Sequence, residues 1–457
     1  MRKKNVLVLL ILSFAFAATS VAQERVLHFP TDQSLGMLTR AADADELDGW
    51  RSVYGFWGMG PHLGEAQGEV LVPADVPVGL VVISGREFPA LSPFADLAPG
   101  QIDALHIEAR GVKPGDACLL PVTRMVGLST LTINKTGITP SQWDMVANMA
   151  SLERLSVFDD LDESDAAQVA RMKSLRSLRF HSSRPLSPET ISSLATLPLL
   201  EELSVSRLEP AAYARLKELG SVKMLWLGNS DDGVENLQEL ARMPSLIHLE
   251  IELTDAGLAA LPEMPRLKFL EIRGRGYAYT VAGFAPLSRF RRLEAFCVVG
   301  TLDDDAVTAI EPLPELKQFV HIVPLPRSGA RWPNIEPSDM SLAHLARFKS
   351  LEYVDLRAGS FSEEGLQHLC ALPNLKGLTM PNNLALTDAG MAEIGKCEGL
   401  EYLNVRAANI TDAGLAHLEG LSQLQTLVLF VRHESKITDE AVALLNEKLP
   451  GLTVASR

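Results

Sequence analysis

Several things are scarce in this 457-residue chain, and each scarcity closes off a class of function. Cysteine occurs four times, at Cys118, Cys297, Cys370 and Cys397. That is too few for a disulfide framework in a chain of this length. Each is expected to be a small buried apolar residue. A Cys370–Cys397 bridge is the weaker alternative, because the two cysteines stand five and three residues before the next repeat, so no essential disulfide is expected. Basic charge is also short, with 42 Lys and Arg against 57 Asp and Glu. Nucleic-acid binding draws on cationic contacts to phosphate, so nucleic acid is excluded as an expected partner. Anionic membrane surfaces are disfavoured for the same reason. The motifs GxSxG, HExxH, GxxxxGK[ST] and CxxC are absent. No nucleophile, base and oxyanion set can be assembled, so neither catalysis nor a cofactor is expected.

Long apolar runs are missing except at the start. Arg2, Lys3 and Lys4 precede an apolar stretch from Val6 to Ala18, and Ser20-Val21-Ala22 supplies small residues before Gln23. The pattern reads as a signal peptide over residues 1–22, too short for a comfortable membrane span. Its removal leaves 39 basic against 57 acidic groups, a charge of −18. The expected location is secreted or periplasmic, with no membrane insertion after cleavage.

What the chain does have is repetition. ITDAGLAHL, beginning at Ile410, has near copies in LTDAGMAEI from Leu386 and LTDAGLAAL from Leu253. The threonine reads as a helix cap and the aspartate as a favourable first-turn charge. A helix of about two turns is unstable alone, so it must lean on neighbours. Before each such phrase stands an LxxLxL frame. Frames start at Ile102, Leu128, Leu152, Leu175, Leu200, Val222 and Leu246, and again at Leu267, Leu293, Leu316, Leu351, Leu375, Leu400 and Leu424. Spacings run from 21 to 26 residues with one gap of 35; a weaker start lies at Val78, and Leu452 opens a closing half-unit. The fourth and sixth positions alternate like a strand, and the next L/M-x-x-L/I has a helical period. No unit buries its apolar face alone, so stacking is obligatory.

Over residues 78–457 the chain resembles the leucine-rich repeat family. Cys397-x-x-Leu400-x-x-Leu403-x-Val405 followed by Ile410-Thr411-Asp412-x-Gly414-Leu415 is similar to its cysteine-containing subclass, known from F-box proteins. Most units lack the cysteine, however, and no F-box-like segment is present. HFPTDQSLGML, from His28, is similar to a leader found before repeats in secreted bacterial proteins of this type. The resemblance implies an α/β solenoid, a horseshoe with parallel strands on the concave face and short helices on the convex face. Strands pack about 4.8 Å apart and helices about 8–10 Å apart, which puts the strands inside the curve. Residues 23–77, with Trp50, Tyr54, Phe56 and Trp57, read as a cap over the first repeat.

The x positions of each frame line the concave face. Glu250, Glu252 and Glu271 should lie side by side, with Arg273 as the compensating cation. Cys297, Val299, Val320 and Ile322 should form an apolar strip, and such strips mark contacts. Two loops break the rhythm. One is Arg273-Gly-Arg275-Gly-Tyr277-Ala-Tyr279; the other is an insertion, IVPLPRSGARWPNIEPSDMS, carrying Arg327, Arg331 and Trp332. Arg, Tyr and Trp are the residue types of interface hot spots. The expected partner site is therefore Arg273, Arg275, Tyr277, Tyr279, Val299, Ile322, Arg327, Arg331 and Trp332. His344, His368 and His417 form a ladder along the helices, too widely spaced to share a metal. The acidic run Asp159, Asp160, Asp162, Glu163 and Asp165 reads as a solvated loop. The expected function is a recognition scaffold for a protein, or for a glycan, with a structural or surface-layer spacer as the alternative and an enzyme less favoured.

Overall fold

The computed structural model describes residues 24–31, 34–35, 37–41, 59–74, 76–84, 97–109, 121–134, 138–158, 162–228, 231–323, 336–430 and 436–456. These fall into two compact units, Met1–Gly228 with Arg242–Leu246, and Asn229–Ala241 with Ile247–Arg457.

In the first unit, β1 (Glu24–His28) and β4 (Glu69–Pro73) form an antiparallel ribbon. Strand β2 (Met37–Ala41) runs antiparallel to both β3 (Met59–Glu65) and β5 (Val78–Ser84), so it covers the free edge of β5. From β5 onward every pairing is parallel, through β6 (Ala104–Ala109), β7 (Thr130–Asn134), β8 (Arg154–Phe158), β9 (Ser177–Phe180), β10 (Glu202–Val205) and β11 (Met224–Leu227). The second unit continues the pattern with β12 (His248–Glu252), β13 (Phe269–Ala278), β14 (Ala295–Thr301), β15 (Gln318–Ile322) and β16 (Tyr353–Leu356). It ends with β17 (Gly377–Met380), β18 (Tyr402–Arg406), β19 (Thr426–Phe430) and β20 (Thr453–Ser456).

The frames carry the core. In all fourteen, the first, fourth and sixth residues are at most 3% exposed. Thirteen of the sixth positions hold apolar side chains, and the fourteenth holds His321. The two end units, outside these fourteen, differ from expectation by one residue. Leu80 pairs with Leu105, and Val454 with Leu427, so the outer units start one residue before Val78 and Leu452. Val78-Gly-Leu-Val-Val-Ile is apolar almost throughout, and such a run does not set its own register.

The repeated phrase works between units as well as within them. Thr254 and Thr411 accept hydrogen bonds from Gly257 N and Ala413 N, capping their own helices. Thr387 makes no such cap and donates to Glu363 instead. The following aspartate reaches forward to the next unit. Asp388 accepts from Thr411 N and Thr411 Oγ1 at 2.7 and 2.6 Å, and Asp255 and Asp412 accept in the same way from Thr280 and Thr438. A Cβ at Gly283, Gly365 or Gly414 would collide with Asp255, Asp339 or Asp388 of the preceding unit. In the unit from Ile410, Thr, Asp and Gly of TDAG are thus a cap, a strut and the clearance for the preceding unit's strut, whereas Gly257 and Gly390 clear Leu253 and Leu386 of their own units.

A second brace lies at the frames' second position, where charge alternates. Lys223 meets Glu201 at 2.8 Å, Lys268 and Lys317 both meet Glu294, and Lys376 meets Glu352 at 2.8 Å. Burial raises the Glu294 carboxyl, but bonds from Lys268 and Lys317 outweigh it and hold its pKa below the ordinary value.

Cys370 and Cys397 are joined, which overturns the expectation of isolated apolar thiols. Cys370 ends the helix Glu363–Cys370, whereas Cys397 sits in the return after Asp388–Ile394; their Cα atoms come within 4.7 Å. Reduction is expected to destabilise this part of the second unit by about 2 kcal/mol, the low end for a bridge closing a loop of this size. Amide exchange over residues 363–400 with and without reductant tests it. A change under about 0.5 kcal/mol would refute it.

Candidate recognition surface

The outward positions of β12 to β19 form one face of the second unit, and the register brings the expected residues together. Glu252, Arg273, Val299 and Ile322 are consecutive partners in one row, and Glu250, Glu271, Cys297, Val320 and Asp355 in the next. The acidic side is paired. Arg273 Nε donates to Glu271 Oε1 at 2.9 Å, its Nη2 lies 3.7 Å from Glu250, and His248 Nε2 is 3.6 Å from Glu250. On the far side of the strip Arg357 binds Asp355 through Nε and Nη2 at 3.0–3.2 Å. Burial pushes the Asp355 carboxyl up, with Arg357 pulling the other way. Burial likewise pushes the Cys297 thiol far up, aided by Glu271, so the thiol stays neutral.

Between these two ion pairs sit half-buried Val299 and Val320 and largely buried Ile322, 7% exposed. This is the arrangement of a small apolar centre inside a polar rim.

The other expected contacts separate into three groups. Tyr279 is a core residue, 1% exposed, whose hydroxyl donates to Leu253 O and whose ring packs against Phe284. It is not a surface contact: the apolar ring is worth more inside, and the core offers its hydroxyl a carbonyl. Arg275 and Tyr277 lie within β13 and not in a loop, because the alternation through Arg273–Ala278 has a strand's period and Ala278 pairs with Thr301 after a register shift. Arg327, Arg331 and Trp332 lie outside the described residues.

The helix side also differs in detail from expectation. His344 is 7% exposed, with Nε2 2.7 Å from Ile310 O, whereas His368 and His417 are exposed. Among the described residues no three His, Cys, Asp or Glu side chains are placed to hold a metal. No described helix is long and apolar enough to cross a membrane. Of the acidic run, Asp162 and Asp165 form a reciprocal cap for the helix Glu163–Val169 and are not merely solvated.

One cluster went unnoticed in the sequence. On the first unit's outward face Phe158 stacks on His181 at 4.3 Å, and His181 meets Trp226 at 5.3 Å. Burial, with Arg179 adding repulsion, lowers the His181 pKa to about 4. Collating the fifth and seventh frame positions would have revealed it.

A strand, loop and short helix repeated on an LxxLxL frame define a leucine-rich repeat solenoid, and the protein is of that class. No family model and no curated protein sequence matches the chain. Among solved structures its fold is similar to a leucine-rich repeat protein of Leptospira interrogans, at 14% identity and a TM-score of 0.38, covering 78% of this chain and 90% of that one. It is also similar to an internalin of Listeria monocytogenes, at 14% identity and a TM-score of 0.31, covering 84% and 90%. A third is TLR13, solved in complex with ssRNA13, at 15% identity and a TM-score of 0.47, covering 83% of this chain and 56% of that one.

Proposed function

We propose that the protein is an exported recognition scaffold without catalysis of its own, binding a protein partner through the outward strand face of the second unit and its inserted loop. The observation that carries this is the apolar strip of Val299, Val320 and Ile322 held between two arginine–carboxylate pairs. Those carboxylates are engaged by arginines, which suits them to shaping a surface and not to acid–base work. Export is supported by the charged start, apolar run and Ser-Val-Ala, and by the Cys370–Cys397 bridge, which belongs to an oxidising compartment.

The test is a pull-down from the native secretome with wild-type and Val299→Asp protein. A partner held at least about tenfold more weakly by the variant, about 1.4 kcal/mol, supports the reading. Trp332→Ala should weaken the same partner by about 2 kcal/mol, as truncated hot spots do. His368→Ala, on the helix side, should change nothing. Equal capture by all variants would move the site elsewhere, and no specific capture would favour the spacer.

A further inference from the structure

The outward face of the second unit has a direction. At β12 and β13 its described side chains carry Glu250, Glu252 and Glu271 against the single arginine Arg273, an excess of two negative charges. The middle, at β14 and β15, carries no charge and is apolar apart from Gln318. Asp355 and Arg357 cancel at β16, and β18 presents Asn404 and Arg406, a net positive charge.

A second observation points to what this gradient meets. Seven buried side-chain polar atoms among the described residues have no hydrogen-bond partner within the protein. Four lie on this one face: Gln318 Oε1, Asn404 Oδ1 and Arg406 Nε, with Arg273 Nη2, which makes only its 3.7 Å ion pair to Glu250. Buried polar atoms are normally paired, so a cluster of unpaired ones on an outward face calls for an outside partner. They include donors and acceptors, as a peptide backbone requires.

We infer that the occupant is an extended peptide segment of the partner protein, lying across the strands in one orientation. A basic residue sits over Glu250 and Glu271, an apolar side chain over Val299 and Ile322, and an acidic residue at Arg406. From β13 to β18 is five strand spacings, about 24 Å at about 4.8 Å each. That length takes about seven extended residues at about 3.3 Å each. The segment therefore reads basic, then apolar two or three residues later, then acidic about four residues beyond. This inference rests on the recognition reading above and adds the chemistry and polarity of what is recognised.

The probe is a phage-displayed library of random twelve-residue peptides, panned on the immobilised full chain. Enrichment of the basic–apolar–acidic order, read in either chain direction, is expected, with peptides whose two end charges share a sign absent. Panning on Arg406→Glu should keep the basic–apolar half and lose the acidic position, whereas Arg406→Lys should retain all three. Synthetic peptides from the selection should bind Val299→Asp at least about tenfold more weakly, with the melting curve of the variant unchanged. Enrichment of peptides lacking the basic–apolar pair, enrichment indifferent to Arg406→Glu, or no enrichment at all would each overturn the inference. If secretome capture remains sensitive to Val299→Asp while the selected peptides have other chemistry, the recognition reading stands and only this inference falls.

Discussion

Asp304→Ala is expected to destabilise the second unit by about 3 kcal/mol, more than any other single break in the strut series. Asp304 opens the helix Asp304–Thr308, and its carboxylate accepts four hydrogen bonds from the following unit. They come from Ser338 N and Ser338 Oγ and from Ser341 N and Ser341 Oγ, at 2.8, 2.5, 3.1 and 2.6 Å. Bonds to a charged acceptor are worth about 1.5–3 kcal/mol each, and crediting only two at the lower value gives the figure. The contact joins sequence positions 34 and 37 residues apart, across the long insertion. Burial raises the Asp304 carboxyl, yet the two serines lower it further, so it stays ionised below the ordinary aspartate range. Asp412→Ala is the internal comparison. Its two bonds to Thr438 are exposed, and about 1 kcal/mol is expected. Urea unfolding followed by amide exchange separates the two units. Equal effects from both variants would show that the extra bonds at Asp304 contribute nothing.

The fold was legible to the extent that a period can be counted. Leucine at fixed spacing marked fourteen frames, and those leucines are the core. Register differs from expectation at Val78, because a period of two cannot be read from Val-Gly-Leu-Val-Val-Ile, and at Leu452, where the closing half-unit is too short to fix it. The phrase TDAG was recognised as a cap, but the strut from Asp388 to Thr411 was invisible because it joins positions 23 residues apart. The alternating Lys and Glu at the second frame positions were in plain view and needed only to be aligned. Tyr279 departs from expectation for another reason: residue type suggests a contact, while burial depends on what lies underneath. The unequal offsets of Cys370 and Cys397 argued against a bridge, yet one cysteine ends a helix and the other lies in the return after the next, and their Cα atoms come within 4.7 Å. Of the expected contact site, Arg273, Val299 and Ile322 come together because outward frame positions are a matter of counting. The unpaired atoms of Gln318, Asn404 and Arg406 depend on side-chain burial and no spacing announces them.

His321 supplies the second large effect. It occupies a sixth frame position, where the other thirteen units place apolar side chains, and it is 0% exposed. Nε2 lies 3.0 Å from Gly300 O, which assigns the proton to Nε2, and Nδ1 has no hydrogen-bond partner. Its neighbours in register, Val298 and Leu356, are apolar and carry no charge to receive a second proton. Burial lowers its pKa from about 6.5 to about 4, against a smaller upward pull from the Gly300 carbonyl. The unfolded chain therefore binds this proton more readily than the folded one. Stability is full above pH 6.5 and is lost as pH falls towards 4, by about 3 kcal/mol, since each pKa unit is worth about 1.36 kcal/mol. Asp304 and Asp388, held below the ordinary aspartate range, lose their contribution only at lower pH, so the two windows separate. Asp355, raised by burial, works in the opposite sense and softens the slope. His321→Leu should leave stability at pH 7 within about 1 kcal/mol of wild type, exchanging one hydrogen bond for apolar burial. Between pH 6.5 and 4 its urea midpoint should stay nearly level while that of the wild type falls. His181 and His106 give the first unit a similar slope of their own, because burial lowers both. The measurement is therefore amide exchange of second-unit segments, and parallel loss of protection in wild type and His321→Leu would sink the assignment of this slope to His321.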